Sequence, residues 1–180
     1  MNALPFPRSY WADPGLLLAG CYPGDRNPKL AEEKLRGLLE CGVRTVINLT
    51  EEFETNHRDQ AFEPYDETLR RLAETMNIAA TCLRHPVRDM GIPSERRMGE
   101  IVASIDESIG RDDAVYVHCW GGKGRTGTVV GVHLIRRGLA TADEFVETIA
   151  KLRTHDPGRG NSPETRGQIE FVRQYVRDCR

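Results

Sequence analysis

Apolar residues fall into two kinds of run along this chain, short β-favouring blocks and longer stretches in which they recur three and four positions apart. Leu16–Ala19 is a short apolar block that predicts a strand, and Gly20-Cys21-Tyr22-Pro23-Gly24 a turn after it. Asn27-Pro28 reads as a cap followed by a first-turn proline. The helix it opens has one apolar face, Ala31, Leu35, Leu38 and Leu39, and Gly42 ends it. Val43–Leu49 is mostly apolar with little alternation, which predicts a strand buried on both faces. Tyr65–Thr75 predicts a polar helix with Leu69, Leu72 and Met76 inward, and Ala79–Leu83 the next strand. Ser94 then caps a helix whose stripe of Met98, Ile101, Val102, Ile105 and Ile109 is core.

Ala114–Val117 is another β-favouring block, and the apolar run Thr128–Ile135 belongs to a central helix stopped by Gly138. Thr141 and Glu144 make a capping box before Phe145, Val146, Ile149 and Leu152. After a Gly/Pro-rich loop over His155–Asn161, Ser162-Pro163 is expected to cap a last helix with Val172, Tyr175, Val176 and Cys179 inward. Residues 1–15, with three prolines, read as a surface arm pinned by Tyr10 and Trp11. Strands alternate with helices early and helices dominate late, with no repeat or linker. The expectation is a single α/β domain over residues 1–180, a central mixed or parallel sheet of about four to five strands flanked by helices.

Composition narrows the partners. The 180 residues are 39% hydrophobic and 29% charged, enough for one adequate core, and the net charge of −2 argues against bulk binding of nucleic acid or anionic membrane. No apolar run approaches the ~20 residues of a membrane span, and Leu16-Leu17-Leu18 is too short for a signal-peptide core. Five widely spaced cysteines, an odd number with no C-x-x-C pair, suggest a reducing, cytoplasmic setting and neither a disulfide framework nor a zinc site.

The chemistry concentrates between Ala114 and Gly127. A β-favouring run ends in His118-Cys119, Trp120-Gly121-Gly122-Lys123-Gly124 turns the chain, and Arg125-Thr126-Gly127 opens a helix. Three glycines let successive backbone N–H groups point inward as an anion-binding nest, to which the helix start adds its free N–H groups and positive dipole end. A cysteine at the rim of such a nest is stabilised as its thiolate, and the planar fork of Arg125 suits two phosphate oxygens. An inert thiol after a buried strand, followed by an ordinary tight turn, explains neither Arg125 nor the glycine density. A nucleotide-binding Walker loop fails because Lys123 is followed by glycine and no glycine sits five positions before it.

The spacing His118-Cys119, five residues, Arg125-Thr126-Gly127 resembles the signature loop of cysteine-dependent protein tyrosine and dual-specificity phosphatases. Trp120-Gly121-Gly122 is most similar to the small cyclin-dependent-kinase-associated phosphatase branch. The resemblance implies a metal-free and cofactor-free phosphatase with Cys119 as nucleophile. Residues 120–124 and Arg125 would bind the phosphate. Asp89, 30 residues before Cys119 in the Gly/Pro-marked stretch Asp89–Ser94, matches the family's general-acid loop. Asp112 and Asp113 precede the strand and should emerge at its opposite end. Gln168, in Pro163–Gln168 with Phe171, matches the glutamine that places the hydrolytic water. His118 is expected to hold the loop backbone, and Thr126 to donate its hydroxyl to the sulfur.

The implied substrate is a phosphorylated protein or peptide, handled by a monomer. Phosphotyrosine comes first, with phosphoserine or phosphothreonine admitted by a shallow cleft. Lys123 keeps inositol phosphates or phosphoinositides open, and Arg84, Arg88, Arg96 and Arg97 are candidates for a basic rim. A phosphoprotein-binding module without turnover is the reading from another class. Glu51–Glu54 reads as a solvated loop, with a guard beside the cleft as the alternative. Tyr22 and Arg26 are expected at the surface or the cleft edge, and Cys82 as a buried thiol.

Overall fold

A computed structural model describes residues 3–154 and 160–178. Its strands are β1 (Ser9–Asp13), β2 (Leu17–Gly20), β3 (Val43–Asn48), β4 (Thr81–Arg84) and β5 (Ala114–His118). Its helices are α1 (Pro28–Glu40), α2 (Asp66–Thr75), α3 (Glu95–Ile109), α4 (Gly124–Arg136), α5 (Phe145–Leu152) and α6 (Arg166–Asp178). These strands form one sheet in the order β1-β2-β5-β3-β4, with β1 antiparallel to β2 and every other pairing parallel. The expected mixed α/β architecture is therefore present.

The register decides where chemistry can gather. Gly20, Asn48 and Arg84 lie in one row with His118, at the carboxyl ends of β2, β3, β4 and β5. Parallel strands release their following loops at the same edge of the sheet, the usual place for a ligand site. So the chain after β3, after β4 and after β5 converges there, with the segment after β2 beside it. One sheet face packs on α3–α6 through residues such as Met98, Ile105, Val130, Phe145 and Val172. The other packs on α1 and α2 through Leu35, Leu38, Leu69 and Leu72.

Local signals behave as their chemistry requires at most element ends. Asn27 accepts a hydrogen bond from the backbone N–H of Lys29, Ser94 accepts one from Arg97, and Gly42 and Gly138 take the left-handed conformation that ends α1 and α4. Two expectations need correction. Within the supposed surface arm, residues 9–13 are an edge strand, with Tyr10 buried in the core and Trp11 only partly covered. Ser162 does not cap α6; its hydroxyl donates to the Lys123 carbonyl at 2.9 Å, and Thr165 Oγ1, which accepts from Gln168 N at 3.1 Å, starts the helix instead. Cys179 and His155–Arg159 lie outside the described residues. Among the described residues no helix is long and apolar enough to cross a membrane.

Candidate active site

Strand β5 is buried along its whole length, and its last residue, His118, anchors the turn that leaves it. Burial of its imidazole pulls the His118 pKa down to about 3, so the ring is neutral at physiological pH. Nδ1 lies 3.0 Å from the Cys119 carbonyl, which can only accept, so Nδ1 carries the proton. Bare Nε2 then accepts from the Tyr65 hydroxyl at 2.5 Å, and the Tyr65 oxygen is left to take the Cys82 S–H at 3.3 Å. These contacts tie His118 to the backbone of the turn on one side and to Tyr65, at the start of α2, on the other. Cys82 is pushed up to about 12 by burial, which keeps it a thiol, and Cys21, Cys41, Cys82 and Cys119 are all free.

The turn from Trp120 to Lys123 then reverses the chain within a narrow space. Gly122 sits at φ +72° with its α-carbon pressed on the backbone of Gly20 and Cys21; a Cβ there would fall 2.4 Å from the Gly20 carbonyl carbon. Any other residue would push the nest off β2. Gly127 is equally confined, by Ser162 and Pro163. From the other side the Arg8 guanidinium donates to the Gly121 carbonyl at 2.9 Å, and Tyr22 N donates to Trp120 O at 3.0 Å.

Above the turn lies a cavity of about 280 Å³ into which Cys119, Trp120, Gly121, Lys123 and Arg125 open from the nest. Asp89 and Met90 line it from the loop after β4, with Arg8, His57 and Glu164 completing the wall. Gly122 and Gly124 do not line the cavity: the first packs on β2, the second against Glu164 and Gln168. Thr126 is fully buried beneath, and its hydroxyl has no hydrogen-bond partner among the described residues.

Arg125 is only 2% exposed, and its guanidinium is held on both prongs. Nη1 donates to Glu54 Oε2 at 2.5 Å and to the Val87 carbonyl at 3.0 Å; Nη2 donates to Glu54 Oε1 at 2.7 Å and to Asp89 Oδ1 at 2.8 Å. Burial works against its charge, but the paired Glu54 oxygens and the nearby Cys119 and Asp89 outweigh burial and raise its pKa further. Glu54 is thus the guard beside the cleft; Glu51, Glu52 and Phe53 are exposed as a solvated loop would be. Arg84 clamps this loop by donating to Thr50 O at 3.2 Å and Glu51 O at 3.3 Å.

Other expected residues stand elsewhere. Gln168 is fully buried: its Oε1 accepts from Glu164 N and Thr165 N, and its Nε2 donates to the Gly91 carbonyl at 3.0 Å. It therefore ties the α6 start to the Asp89 loop. Arg84, Arg88, Arg96 and Arg97 do not line the cavity, and Arg96 and Arg97 instead pair with Glu100, so no basic rim forms from them. Arg8, His57 and Glu164 carried no local signal, because they reach the site from a segment before the first strand and from two loops.

Comparison with known proteins agrees with this geometry. The family described as "Swiss Army Knife protein, DSP-PTPase phosphatase domain" matches residues 8–173. A rat protein named phosphatidylglycerophosphatase and protein-tyrosine phosphatase 1 is 32% identical over 146 residues, which span 79% of this chain and 66% of that protein. The chain thus spans just under two thirds of that relative's length, and 18% of a zebrafish protein tyrosine phosphatase domain-containing protein 1 that is 28% identical. Among solved structures, PTPMT1 in complex with PI(5)P superposes with a TM-score of 0.70 at 23% identity, covering 95% of this chain and 96% of the other. Kinase associated phosphatase does so with 0.68 at 15%, covering 99% and 97%. At such identities these likenesses speak for the fold. With the family match running through every strand and the whole nest, the chain belongs to the dual-specificity and protein-tyrosine phosphatase domain family.

Proposed function

We propose that this chain hydrolyses phosphate monoesters of phosphoproteins, phosphotyrosine first, through a phosphocysteine. The observation that carries the reading is Arg125, buried and gripped by Glu54 while facing the cavity that Cys119 opens into. In the first step the Cys119 thiolate attacks phosphorus in line, a P–S bond forms, and the bond to the leaving oxygen breaks. Nest N–H groups and Arg125 hold the equatorial oxygens. Asp89 is 48% exposed on Nη2 of Arg125. A phosphate oxygen that takes this donor releases the carboxyl toward the leaving oxygen, to which it gives a proton. In the second step water attacks phosphorus, Asp89 takes the water's proton, and the P–S bond breaks to free phosphate and the thiolate. Gln168 has its amide committed to Glu164, Thr165 and Gly91, so it serves this step by setting the Asp89 loop against α6.

The test is hydrolysis of p-nitrophenyl phosphate with chelator present. Cys119→Ser should lower kcat by ~10⁴-fold or more, and Asp89→Ala by about 10²–10⁴-fold. Absence of turnover by the wild-type protein would point instead to a phosphoprotein-binding module. An inositol phosphate or phosphoinositide substrate is the second reading, favoured by Lys123 on the cavity wall and by the PI(5)P in the PTPMT1 structure. A panel of phosphopeptides against inositol phosphates separates the two. The free thiols fit a reducing compartment such as the cytoplasm.

A further inference from the structure

Arg8, just before β1, stands in the left-handed region at φ +66°, a conformation costly to a residue that carries a Cβ. The chain is fastened around it. Ser9 Oγ donates to the Phe6 carbonyl at 2.6 Å, and Phe6 is buried edge-on against Tyr116. The Arg8 carbonyl accepts from Cys21 N at 3.2 Å. That approach is open because residue 20 is glycine; a Cβ there would lie 2.6 Å from the Arg8 oxygen. From this strained place the side chain crosses 113 positions of sequence to bring Nη2 to the Gly121 carbonyl. Backbone strain that its surroundings enforce collects at functional sites.

The peptide that Arg8 holds is one of four in the turn whose carbonyl is engaged. Cys119 O accepts from His118 Nδ1, Trp120 O from Tyr22 N, Gly121 O from Arg8 and Lys123 O from Ser162 Oγ. A trans peptide points its N–H opposite to its C=O, so each bond also aims the N–H of the following residue. Of these four, only the Gly121–Gly122 peptide lies between two glycines, the residues that least resist its turning over. We infer that Arg8 is a positioning residue for phosphate: by holding the Gly121 carbonyl it keeps the Gly122 N–H among the donors of the nest. The inference rests on the phosphatase reading above for the anion that the nest receives. Without the bond, part of the molecules carry this peptide turned over, and an arriving anion must first turn it back. An apparent dissociation constant rises as the competent fraction falls, while saturating ligand restores the same complex. The mark of such a latch is a higher KM at constant kcat.

The experiment compares wild type with Arg8→Asn and Arg8→Lys in protein labelled with 15N-glycine. Asparagine tolerates the left-handed conformation but is too short to reach Gly121, whereas lysine is long enough to keep a donor there. Inorganic phosphate is titrated while the Gly121 and Gly122 amide signals are followed, so binding is read without turnover. In Arg8→Asn the apparent dissociation constant should rise about tenfold, the weight of one hydrogen bond from a charged donor. Its Gly122 signal should be broadened or doubled in the free protein and single at saturation. KM for p-nitrophenyl phosphate should rise by the same factor with kcat within about twofold of wild type. Arg8→Lys should stay within about threefold of wild type in dissociation constant and KM. Near-UV circular dichroism checks that each variant is folded; Arg8→Gly, relieved of the strain, repeats the comparison should Arg8→Asn not fold. An unchanged dissociation constant in the folded variant overturns the assignment, as does a loss of kcat at constant KM. Weaker binding with a single, unmoved Gly122 signal overturns it too, since Arg8 would then act on the anion through its charge. Should wild type bind phosphate without hydrolysing p-nitrophenyl phosphate while Arg8→Asn still shows the weaker binding and the doubled signal, the catalytic reading fails and the latch stands.

Discussion

At its first turn helix α4 sets Arg125 between Glu54 and Asp89; at its last it sets His133 and Arg137 against Asp13, at 3.0 Å and 3.4 Å. Both clusters are largely buried and both join α4 to the sheet side of the fold. They differ in direction and in which partner faces solvent. A cation at a helix N-terminus opposes the helix dipole by about 0.3–1 kcal/mol, whereas Arg136 and Arg137 at the C-terminus agree with it. The first cluster leaves a carboxylate half exposed, Asp89 at 48%, whereas the far one leaves a cation so, Arg137 at 49%, and covers its carboxylate, Asp13 at 11%. An arginine placed against the dipole, with one replaceable carboxylate, is arranged to receive an anion. In the far cluster the carboxylate is the covered partner, so no anion can take its place, and the pair holds β1 on α4.

The sharpest way to break this contrast is Glu54→Gln. The amide keeps the shape but removes the charge that fixes Arg125, so the guanidinium can follow Asp89 instead of standing ready for phosphate. Hydrolysis of p-nitrophenyl phosphate should fall about 10²-fold, the scale of a misplaced catalytic group. The folded protein should lose about 1–3 kcal/mol in urea denaturation, since a charged hydrogen bond is replaced by a neutral one. Activity within threefold of wild type would mean that Glu54 is an ordinary ion-pair partner.

Asp13→Asn tests the other end and should give the reverse pattern. His133 Nε2 and Arg137 Nε meet the same oxygen, Oδ2, so the asparagine oxygen can keep both contacts but without its charge, and exchanging a charged acceptor for a neutral one costs about 1–2 kcal/mol. Stability should drop by that amount while kcat/KM for p-nitrophenyl phosphate stays within twofold. A tenfold loss of activity would show that the two ends of α4 are coupled through the helix.

Legibility in the sequence divides along the same line between local and assembled features. Strand, glycine turn, arginine and helix are consecutive, so the nest, Cys119 and Arg125 were legible as one local pattern. Asp89 was reachable because a Gly/Pro-marked loop after a strand has its own grammar and matches the family's. Glu54 left only the faint mark of an acid after a buried strand, since its meaning comes from β3 lying beside β5, a fact of sheet order that no window of sequence carries. The edge strand β1 was missed for a related reason: Ser9-Tyr10-Trp11-Ala12-Asp13 is polar at both ends, comes just after prolines, and is a strand only because β2 pairs with it. Ser162 looked like a cap, but its hydroxyl is needed at the Lys123 carbonyl, so the helix waits for Thr165.

The smallest effect concerns a histidine near each end of α4. His118 before the nest and His133 in the last turn are both buried enough to lower their pKa, His133 despite the attraction of Asp13. The unfolded chain takes up these protons near pH 6.5, while folded His118 holds off until about 3. Stability should therefore fall as pH drops below ~6.5, by up to about 1.4 kcal/mol per pH unit for each such imidazole. His118→Asn, whose amide can still donate to the Cys119 carbonyl, removes one proton from that balance. Urea denaturation between pH 7 and 4.5 should give it a slope shallower than wild type by up to about 1.4 kcal/mol per pH unit at the acid end. Equal slopes would mean that folded His118 is already protonated. Nε2 would then be a donor to Tyr65, and the hydrogen bonds between Cys82, Tyr65 and His118 would run the other way, with Nδ1–H still donated to the Cys119 carbonyl.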